Sequence, residues 1–538
     1  MYIYILGSDK LSSIVPCRVG KYIYLYESES YRDESGNVRN RRQIVGKIDP
    51  VTGQHVLKPE YVEKKGIHTT DEMACETKLY SVNDVKKSMV KEYGVFYLLD
   101  EIARQIGLMD VLIQVMPTMW KEILNLAFYI VVSGEPAMYC EDWLYKTECY
   151  QGKDLSSQRI SELLTAISHG ERMSFFERWS DYRCENEYIA LDITSISTYS
   201  ELVNSAEWGY NRDKEKLSQI NVCMLLGEKS RLPVFQSVHS GSLKDVSTLK
   251  NTLQTAINLN LDNMSVVMDK GFASTKNINA MLSKPLSLRF LVALPFTMTF
   301  ANKQVDSERK DIDYVDNAIA VGSDVIRGIT KKRSWSSTHD IYAHVYLNPD
   351  VALKAKNKLY ARIQKLIDKV RENLNKHMND SDVKKYLVVR KSEKNDLGYT
   401  INIRHDVICE ELAHSGWLVI VSNHIDNAKE AIQIYRAKDV IEKGFMRMKN
   451  CLGLARLRIH SDAAMENKVF IGFIALIITA HIDKVMMDNR LYDSWTMKKL
   501  MKALERLKVH YIRNDRIVCP LTKQQKNIFR AFNLKCDL

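Results

Sequence analysis

Residues 188–192 read YIALD and residues 266–269 read VVMD, so each stretch is an apolar run followed by an aspartate. Short apolar runs rich in β-branched and aromatic residues predict buried β-strands. Asp192 and Asp269 would then be carboxylates at the exposed ends of two buried strands. Carboxylates in such positions are candidate ligands for a hard metal ion.

The residues around these two runs alternate between strand patterns and helix patterns. Strands are predicted at 186–192, 220–226, 232–239, 264–269 and 287–294, with a helix at about 245–259. Three meandering strands, a helix and then a strand that ends in Asp269 follow the order of an RNase H-like sheet. The sequence thus predicts an α/β fold with an RNase H-like, retroviral-integrase-like catalytic core.

A third acidic residue, Glu442, lies in the helical stretch 434–450, which reads IYRAKDVIEKGFMRMKN. At roughly 100° per residue, Tyr435, Lys438, Glu442 and Lys449 fall within about 60° of one another on one helix face. Two strand-end carboxylates and one helix carboxylate can hold two Mg²⁺ ions, the apparatus that cuts and joins phosphodiesters. A solvated face joined by salt bridges has the same spacing, and the spacing by itself leaves both interpretations open.

The composition is that of a globular, helix-rich protein with a moderate excess of positive charge. The chain has 77 Lys and Arg against 66 Asp and Glu, a formal charge of +11, which suits a polyanionic partner without requiring one. Its 10 cysteines form no Cys-x-x-Cys pair, which excludes zinc-finger spacing and indicates reduced thiols. A signal-peptide pattern is missing, and the longest apolar stretch, Val469 to Ala480, is too short to span a bilayer. We therefore expect a cytoplasmic protein without a membrane anchor.

The spacing around Glu442 also resembles a known signature. Tyr435-x2-Lys438-x3-Glu442-x6-Lys449 is similar to the Tyr-x2-Arg-x3-Glu-x6-Lys signature of bacterial DDE transposases of the insertion-sequence-four type. Lys438 stands where that family has arginine, so the positive charge is kept while the bidentate fork is lost.

Other segments resemble the same family in the same order along the chain. They are residues 45–49 (VGKID), 157–160 (SQRI), 192–195 (DITS), 268–272 (MDKGF) and 449–457, where Arg456-Leu457 replaces a common Arg-Pro pair. Each motif is weak, but their order and spacing together carry a resemblance that covers nearly the whole chain.

The resemblance implies a metal-dependent DNA transposase. Asp192, Asp269 and Glu442 would hold two Mg²⁺ ions, for which Mn²⁺ could substitute, and would cleave the DNA ends before joining their 3′-hydroxyls to target DNA. The partners would be double-stranded DNA, both transposon ends and target, and a second copy of the chain, because two ends must be paired. A membrane partner is not expected, and the location would be the bacterial cytoplasm, in association with the nucleoid.

Five residues are candidate DNA contacts: Tyr435, Lys438, Lys449, Arg456 and Trp335. Trp335 closely follows the cations KKR at 331–333. Several relatives release the transposon end through a DNA hairpin, and an aromatic ring could then stack on the distorted terminal base. A tryptophan of the core or of a loop is the alternative interpretation.

We expect five regions along the chain. An insertion is predicted because 173 residues separate Asp269 from Glu442, against 77 between the two aspartates. It would be β-rich with a long basic helix at 349–375. In the resembling family such an insert covers the active site and helps hold a deformed DNA end, whereas a solvated basic helix is the alternative. The regions are a small β-rich unit (1–68), a helical, DNA-end-binding domain (80–182), the RNase H-like catalytic domain (185–295 plus 416–487), the insertion domain (296–415) and a C-terminal helical tail (488–538).

Two other classes of protein remain as alternatives. RNase H-like nucleases such as junction resolvases and ribonucleases are usually small, which argues against them for a chain with so long an insertion. A catalytically decayed or repurposed transposase would be a DNA-binding protein without activity. The acids at all three positions argue against such decay.

Overall fold

The computed structural model divides the chain into two compact units. They are Met1–Met89 with His510–Ile517, and Val90–Val509 with Val518–Leu538. The structure describes the chain except residues 1–2, 5–11, 21, 33–37, 50–54, 62–81, 183–186, 212–214, 244, 259–264, 323, 392–397, 452, 454–455 and 458.

The smaller unit contains a five-stranded antiparallel sheet in sequential order. Alternate side chains along its strands form a hydrophobic core, which includes Ile14, Leu25 and Val45. Its elements are β1 (Ile3–Tyr4), β2 (Ser12–Val19), β3 (Tyr22–Arg32), β4 (Val38–Ile48), β5 (His55–Leu57) and the short helix α1 (Val82–Lys86).

The larger unit begins with a helical region, as the sequence predicts. Ser156 caps one of its helices by accepting a hydrogen bond from the backbone of Arg159 (3.3 Å). The apolar residues on one face of this helix, Ile160, Leu163 and Leu164, are buried. The elements are β6 (Met89–Glu92), α2 (Gly94–Gln105), α3 (Leu108–Val115), α4 (Trp120–Ser133), α5 (Cys140–Lys146), α6 (Ser157–Ala166) and α7 (His169–Tyr182).

A large mixed sheet follows, and its first five strands lie in the order β9-β8-β7-β10-β11. The strands β7, β8 and β9 are antiparallel, whereas β10 is parallel to both β7 and β11. This arrangement is consistent with an RNase H-like core. The elements are β7 (Tyr188–Thr198), β8 (Gln219–Gly227), β9 (Pro233–Ser240), α8 (Asp245–Asn258), β10 (Ser265–Met268), α9 (Thr275–Leu282) and β11 (Arg289–Leu294).

One expectation for this sheet is wrong in detail. Asp192 does not end its strand, because β7 continues for six residues to Thr198. The residues after Asp192 keep pairing with β8, from Ile193 opposite Cys223 to Ser197 opposite Gln219. Asp269, in contrast, directly follows the last residue of β10, as expected.

The segment predicted as an insertion (296–415) contributes three strands to the same sheet. Its elements are α10 (Thr299–Glu308), β12 (Ala318–Val321), β13 (Asp324–Ser334), β14 (Asp340–Leu347), α11 (Pro349–Glu372), α12 (Leu374–His377), α13 (Ser381–Tyr386), β15 (Leu387–Lys391), β16 (Tyr399–Ile403) and α14 (His405–Leu412). The strand that follows the segment, β17 (Trp417–Ser422), pairs with both β14 and β11 and so joins β12, β13 and β14 to the core strands.

The long basic helix α11 packs on a small core of its own within this segment. Asn348 caps it and Pro349 opens its first turn, which explains why the helix begins there. Its apolar face, including Leu359 and Ile363, packs against the hairpin β15-β16.

The chain returns through helices that carry the third acidic residue. The elements are α15 (Ala428–Ala437), α16 (Asp439–Met446), a π-helix (Arg447–Cys451), β18 (Arg456–Leu457), α17 (Asp462–Asp488), α18 (Met497–Glu505), β19 (Lys508–Ile512), β20 (Asp515–Val518) and α19 (Lys523–Ala531).

The helix α17 is longer than the apolar stretch that the sequence suggested. With 27 residues it could cross a membrane by length and composition, and the bent pair of α4 with residues 137–146 passes the same test. However, 83% of its most apolar window is buried inside the protein, as is typical of a core helix.

Candidate active site

Strand register places Asp192 and Asp269 side by side. Met268 pairs with Leu191 in the parallel ladder of β10 and β7, so the next residue of each strand is an aspartate. Neighbouring strands lie about 4.8 Å apart, which brings the two carboxylates to one place on the sheet. The Oδ1 atom of Asp192 accepts from the backbone of Ile193, and Oδ1 of Asp269 from the backbone of Lys270, each at 2.8 Å.

Tyr435 connects helix α15 to this pair. Its ring packs against the sheet core, and its hydroxyl donates a hydrogen bond to Asp269 Oδ1 at 2.9 Å. Burial raises the pKa of the phenol strongly. The negative charge of Asp269 and its hydrogen bond raise it further, with smaller contributions from Glu442 and Asp192. All three acidic residues therefore act electrostatically on one phenol.

Glu442 lies on α16 with its carboxylate turned to a lysine. Lys438 Nζ is 3.1 Å from Glu442 Oε1 and 5.4 Å from the centroid of the Tyr435 ring. The lysine side chain is 12% exposed and the glutamate side chain 58%. Helix α16 is seated on the sheet because Gly444, which has no side chain, faces Leu226 of β8.

The helix predicted around Glu442 is interrupted at Lys438, between α15 and α16, and becomes a π-helix at Arg447. Lys438 itself keeps helical dihedral angles (φ −57°, ψ −14°). Tyr435, Lys438 and Glu442 therefore keep the i,i+3 and i,i+4 contacts of one helix face. Lys449 lies in the π-helix, partly buried. Single π-turns within helices are frequent at functional sites.

The structure places Arg456 beside the extension of β7. Strand β18 pairs in parallel with β7, with Arg456 opposite Ser197 and Leu457 opposite Thr198. Five residues separate Asp192 from Ser197, which is roughly 16 Å along a strand. Strand β18, which contains Arg456, thus pairs with the same edge of β7 as β10 does.

Trp335 lies in the turn between β13 and β14. Its indole N–H donates to Asn279 Oδ1 at 2.7 Å, and its ring packs edge-to-face on Phe300 with centroids 5.0 Å apart. These described contacts fit an anchored loop tryptophan, and they do not include any of the three acidic residues. They do connect the turn to α9, the helix that follows Asp269.

The oxygen donors at the site suit a hard divalent cation. Mg²⁺ usually binds through one or two carboxylates and keeps its other positions for water and substrate phosphates. Asp192 and Asp269 meet that requirement as neighbours on the sheet. Within the described residues, no three His, Cys, Asp or Glu side chains are grouped as a ready metal site. Glu442, the third carboxylate, is paired with Lys438.

Sequence reasoning missed a residue that supports the helical side of the site. Asp483 of α17 is 3% exposed and pairs with Arg447 at 2.7 Å, at the first residue of the π-helix. The hydroxyl of Tyr492 also donates to it, at 2.5 Å. A buried charge needs such partners, and the available signal was a carboxylate within an otherwise apolar helix.

Comparisons with known proteins give one family match and a similar solved structure. Residues 184–478 match the model of the Transposase DDE domain family. A solved structure, the piggyBac transposase synaptic complex with hairpin DNA, overlaps 82% of this chain and 77% of its own at 10% identity and a TM-score of 0.33. Among curated proteins none matches. Since the family match spans more than half of the chain and contains Asp192, Asp269 and Glu442, the chain belongs to the DDE transposase domain family.

Proposed function

We propose that the protein is a transposase of the insertion-sequence-four type. It would bind the terminal inverted repeats of its own element, cut the DNA ends and transfer their 3′-hydroxyls to target DNA. The observation that carries this proposal is the register that sets Asp192 beside Asp269, with Tyr435 linking that pair to the helix that bears Glu442.

Asp192, Asp269 and Glu442 are the residues that would hold the metal. Two Mg²⁺ ions, or Mn²⁺ in their place, would activate water or a 3′-hydroxyl and stabilise charge on the scissile phosphate. The ladder hydrogen bonds on both sides of β7 hold Asp192 in place. Tyr435 orients Asp269 by hydrogen bonding to one of its oxygens, so the carboxylate need not reorganise when DNA arrives.

The residues proposed to contact DNA differ in how close they lie to these carboxylates. Tyr435 and Lys438 touch them directly, whereas Lys449 and Arg456 lie further along the chain on the π-helix and on β18. Cations at these positions suit the phosphates that lead away from the scissile bond. Trp335 would serve a distorted base in a hairpin route only after leaving Asn279.

We also propose the partners and the location. Double-stranded DNA, as transposon ends and as target, is the substrate, and the formal charge of +11 favours its approach. Two copies of the chain would pair two ends in a synaptic complex. The proposed location is the bacterial cytoplasm at the nucleoid, without membrane attachment.

The alternative function is a catalytically decayed or repurposed transposase that binds DNA without cutting it. The two functions share the fold and the basic charge, and they differ in whether the carboxylates support metal-dependent chemistry. Retention of the aspartate pair and its hydrogen-bonded tyrosine favours the active enzyme.

The deciding experiment is Mg²⁺-dependent cleavage of a duplex that carries the element's own terminal repeat. Wild type is compared with Glu442→Gln and with Glu430→Gln, a control at an exposed position of α15. Specific cleavage by the wild type and the control, lost in Glu442→Gln, would support the transposase. Specific binding without cleavage by the wild type would favour the decayed protein.

A further inference from the structure

The ammonium group of Lys438 occupies an unusual position for a lysine. Its side chain is 12% exposed, and its Nζ lies between the ring of Tyr435 and the carboxylate of Glu442. Lysine ammonium groups are strongly hydrated and normally reach solvent. Something at this place compensates for the lost hydration.

The compensation comes from the acidic residues around Tyr435. Glu442 Oε1 accepts from Lys438 at 3.1 Å, and the phenol beneath the ammonium is hydrogen bonded to Asp269. Asp192 is adjacent to Asp269 in the strand register, so three carboxylates concentrate negative charge around this phenol. A cation at this point is stabilised by all of these groups.

We propose that Lys438 serves as a place-holding cation for Glu442 in the metal-free protein and that a divalent ion displaces it from that carboxylate. The inference rests on the proposed metal-dependent function. It assigns Lys438 two successive partners, first Glu442 and then, once displaced, a phosphate of the DNA.

The strength of the Lys438–Glu442 pair permits such an exchange. The glutamate side chain is 58% exposed and lies four residues from the lysine on the chain, and i,i+4 ion pairs along a helix are weak. A divalent ion carries twice the charge and attracts the carboxylate more strongly at the same distance.

Lysine suits this exchange better than arginine would. Its ammonium is a compact point charge on a flexible stem, whereas a guanidinium can grip both oxygens of a carboxylate. Lysine therefore holds Glu442 through one described contact, to Oε1, and can leave it. The departure from the arginine of the resembling signature would thus lower the barrier to metal entry.

The test is Mn²⁺ binding by the full-length protein without DNA. Binding is monitored as the loss of the free Mn²⁺ signal in electron paramagnetic resonance. The variants are Lys438→Met, which keeps the length and removes the charge, and Lys438→Arg, which keeps the charge. The control is Lys443→Met, because Lys443 forms an exposed i,i+4 pair with Asp439 (2.7 Å) on α16, away from the Tyr435 ring. Thermal unfolding checks that each variant is folded.

The positive charge of Lys438 competes with the metal ion and is expected to weaken Mn²⁺ binding. Lys438→Met should bind Mn²⁺ about fivefold more tightly than wild type, since a repelling charge near the ion is gone. Lys443→Met should match wild type, and Lys438→Arg should bind no more tightly than wild type. Unchanged or weaker binding by Lys438→Met would overturn the proposal, and so would tighter binding by Lys438→Arg.

A fourth variant separates this proposal from the proposed function. Asp269→Asn should lose most Mn²⁺ binding if the aspartate pair is the metal site. Loss in Asp269→Asn together with no effect of Lys438→Met would remove the place-holding role alone. Absence of Asp269-dependent Mn²⁺ binding in the wild type would remove the metal-dependent function and this inference together.

Discussion

The strand side and the helix side of the candidate site are built in different ways. Asp192 lies on β7 and Asp269 directly follows β10, and both strands are paired on both edges by neighbouring strands. Glu442 stands on the short helix α16, between a break at Lys438 and a π-helix. The helix side is held by individual side-chain contacts, namely Tyr435 to Asp269, Lys438 to Glu442 and Arg447 to Asp483.

The strand side of the site is rigid, whereas the helix side can adapt. Backbone ladders fix a strand position through many cooperative hydrogen bonds, so the aspartate pair is preorganised before any ligand binds. Single side-chain contacts can be exchanged for others of similar energy. We therefore expect the aspartates to define the site and the glutamate to complete it.

The largest expected effect is on the strand side. Asp269→Asn should lower Mg²⁺-dependent cleavage of end-bearing DNA by about a thousandfold or more, because a charged metal ligand is lost. DNA binding in the absence of metal should persist. The measurement is strand cleavage beside DNA binding, with Asp306→Asn, an exposed aspartate of α10, as control. Cleavage within tenfold of wild type would show that the strands do not define the site.

The next effect concerns the stability of the sheet that carries the aspartates. His344 of β14 is fully buried between Thr330 and Ser422, at 2.7 and 3.1 Å. Burial, and to a lesser degree His424, lowers its pKa to about 4. Because the unfolded chain binds this proton at higher pH, the contribution to stability is fully present above pH 6.5 and is lost as pH falls towards 4.

That loss should amount to about 3 kcal/mol across the range, since one pKa unit corresponds to about 1.4 kcal/mol. The measurement is the urea midpoint between pH 7 and pH 4. His344→Gln keeps a polar side chain of similar size that does not titrate, and its midpoint should vary less with pH. Equal pH dependence in both proteins would contradict the prediction.

A smaller effect is expected at the contact between the two sides. Tyr435→Phe removes the hydrogen bond to Asp269, and a bond to a charged group contributes roughly 1.5 kcal/mol or more. The Mg²⁺ concentration for half-maximal cleavage should rise about tenfold, with little change in rate at saturation. Tyr188→Phe, which loses a hydrogen bond to His424 instead, is the control. A drop in the saturated rate alone would mean that Tyr435 acts on DNA rather than on Asp269.

The smallest effect is expected where α16 rests on the sheet. A Cβ atom at Gly444 would lie 3.2 Å from Leu226 Cδ2, and Leu226 is 2% exposed, so the helix has to shift by a few tenths of an ångström. Gly444→Ala should reduce cleavage roughly threefold, because small misplacement of a catalytic group is costly. Adding Leu226→Val should restore activity. An unchanged rate in Gly444→Ala would indicate that the helix side adapts freely.

Much of the fold followed from local sequence patterns. The strands around 220–226 and 232–239 and the start of α11 at Pro349 agree with the sequence, because each depends on residues close together in the chain. Likewise the family signature identified the three acidic residues, although their roles as metal ligands stay predictions. The division into five domains also stays a prediction.

Long-range pairing accounts for what the sequence did not predict. The continuation of β7 past Asp192 depends on pairing with β8, and the addition of β12–β14 to the sheet depends on β17. The helix break at Lys438 likewise has no local marker such as proline.

The amino-acid sequence was sufficient to predict the alternation of strands and helices, the net positive charge, the three candidate acids and the i,i+4 spacing of Lys438 and Glu442, because these follow from composition and from neighbouring residues. Only the tertiary structure shows that Asp192 and Asp269 are adjacent and that Tyr435 bonds to Asp269. Those outcomes depend on strand register and on helix packing. Both are set by contacts between residues far apart in the chain, and a local pattern carries no information about them.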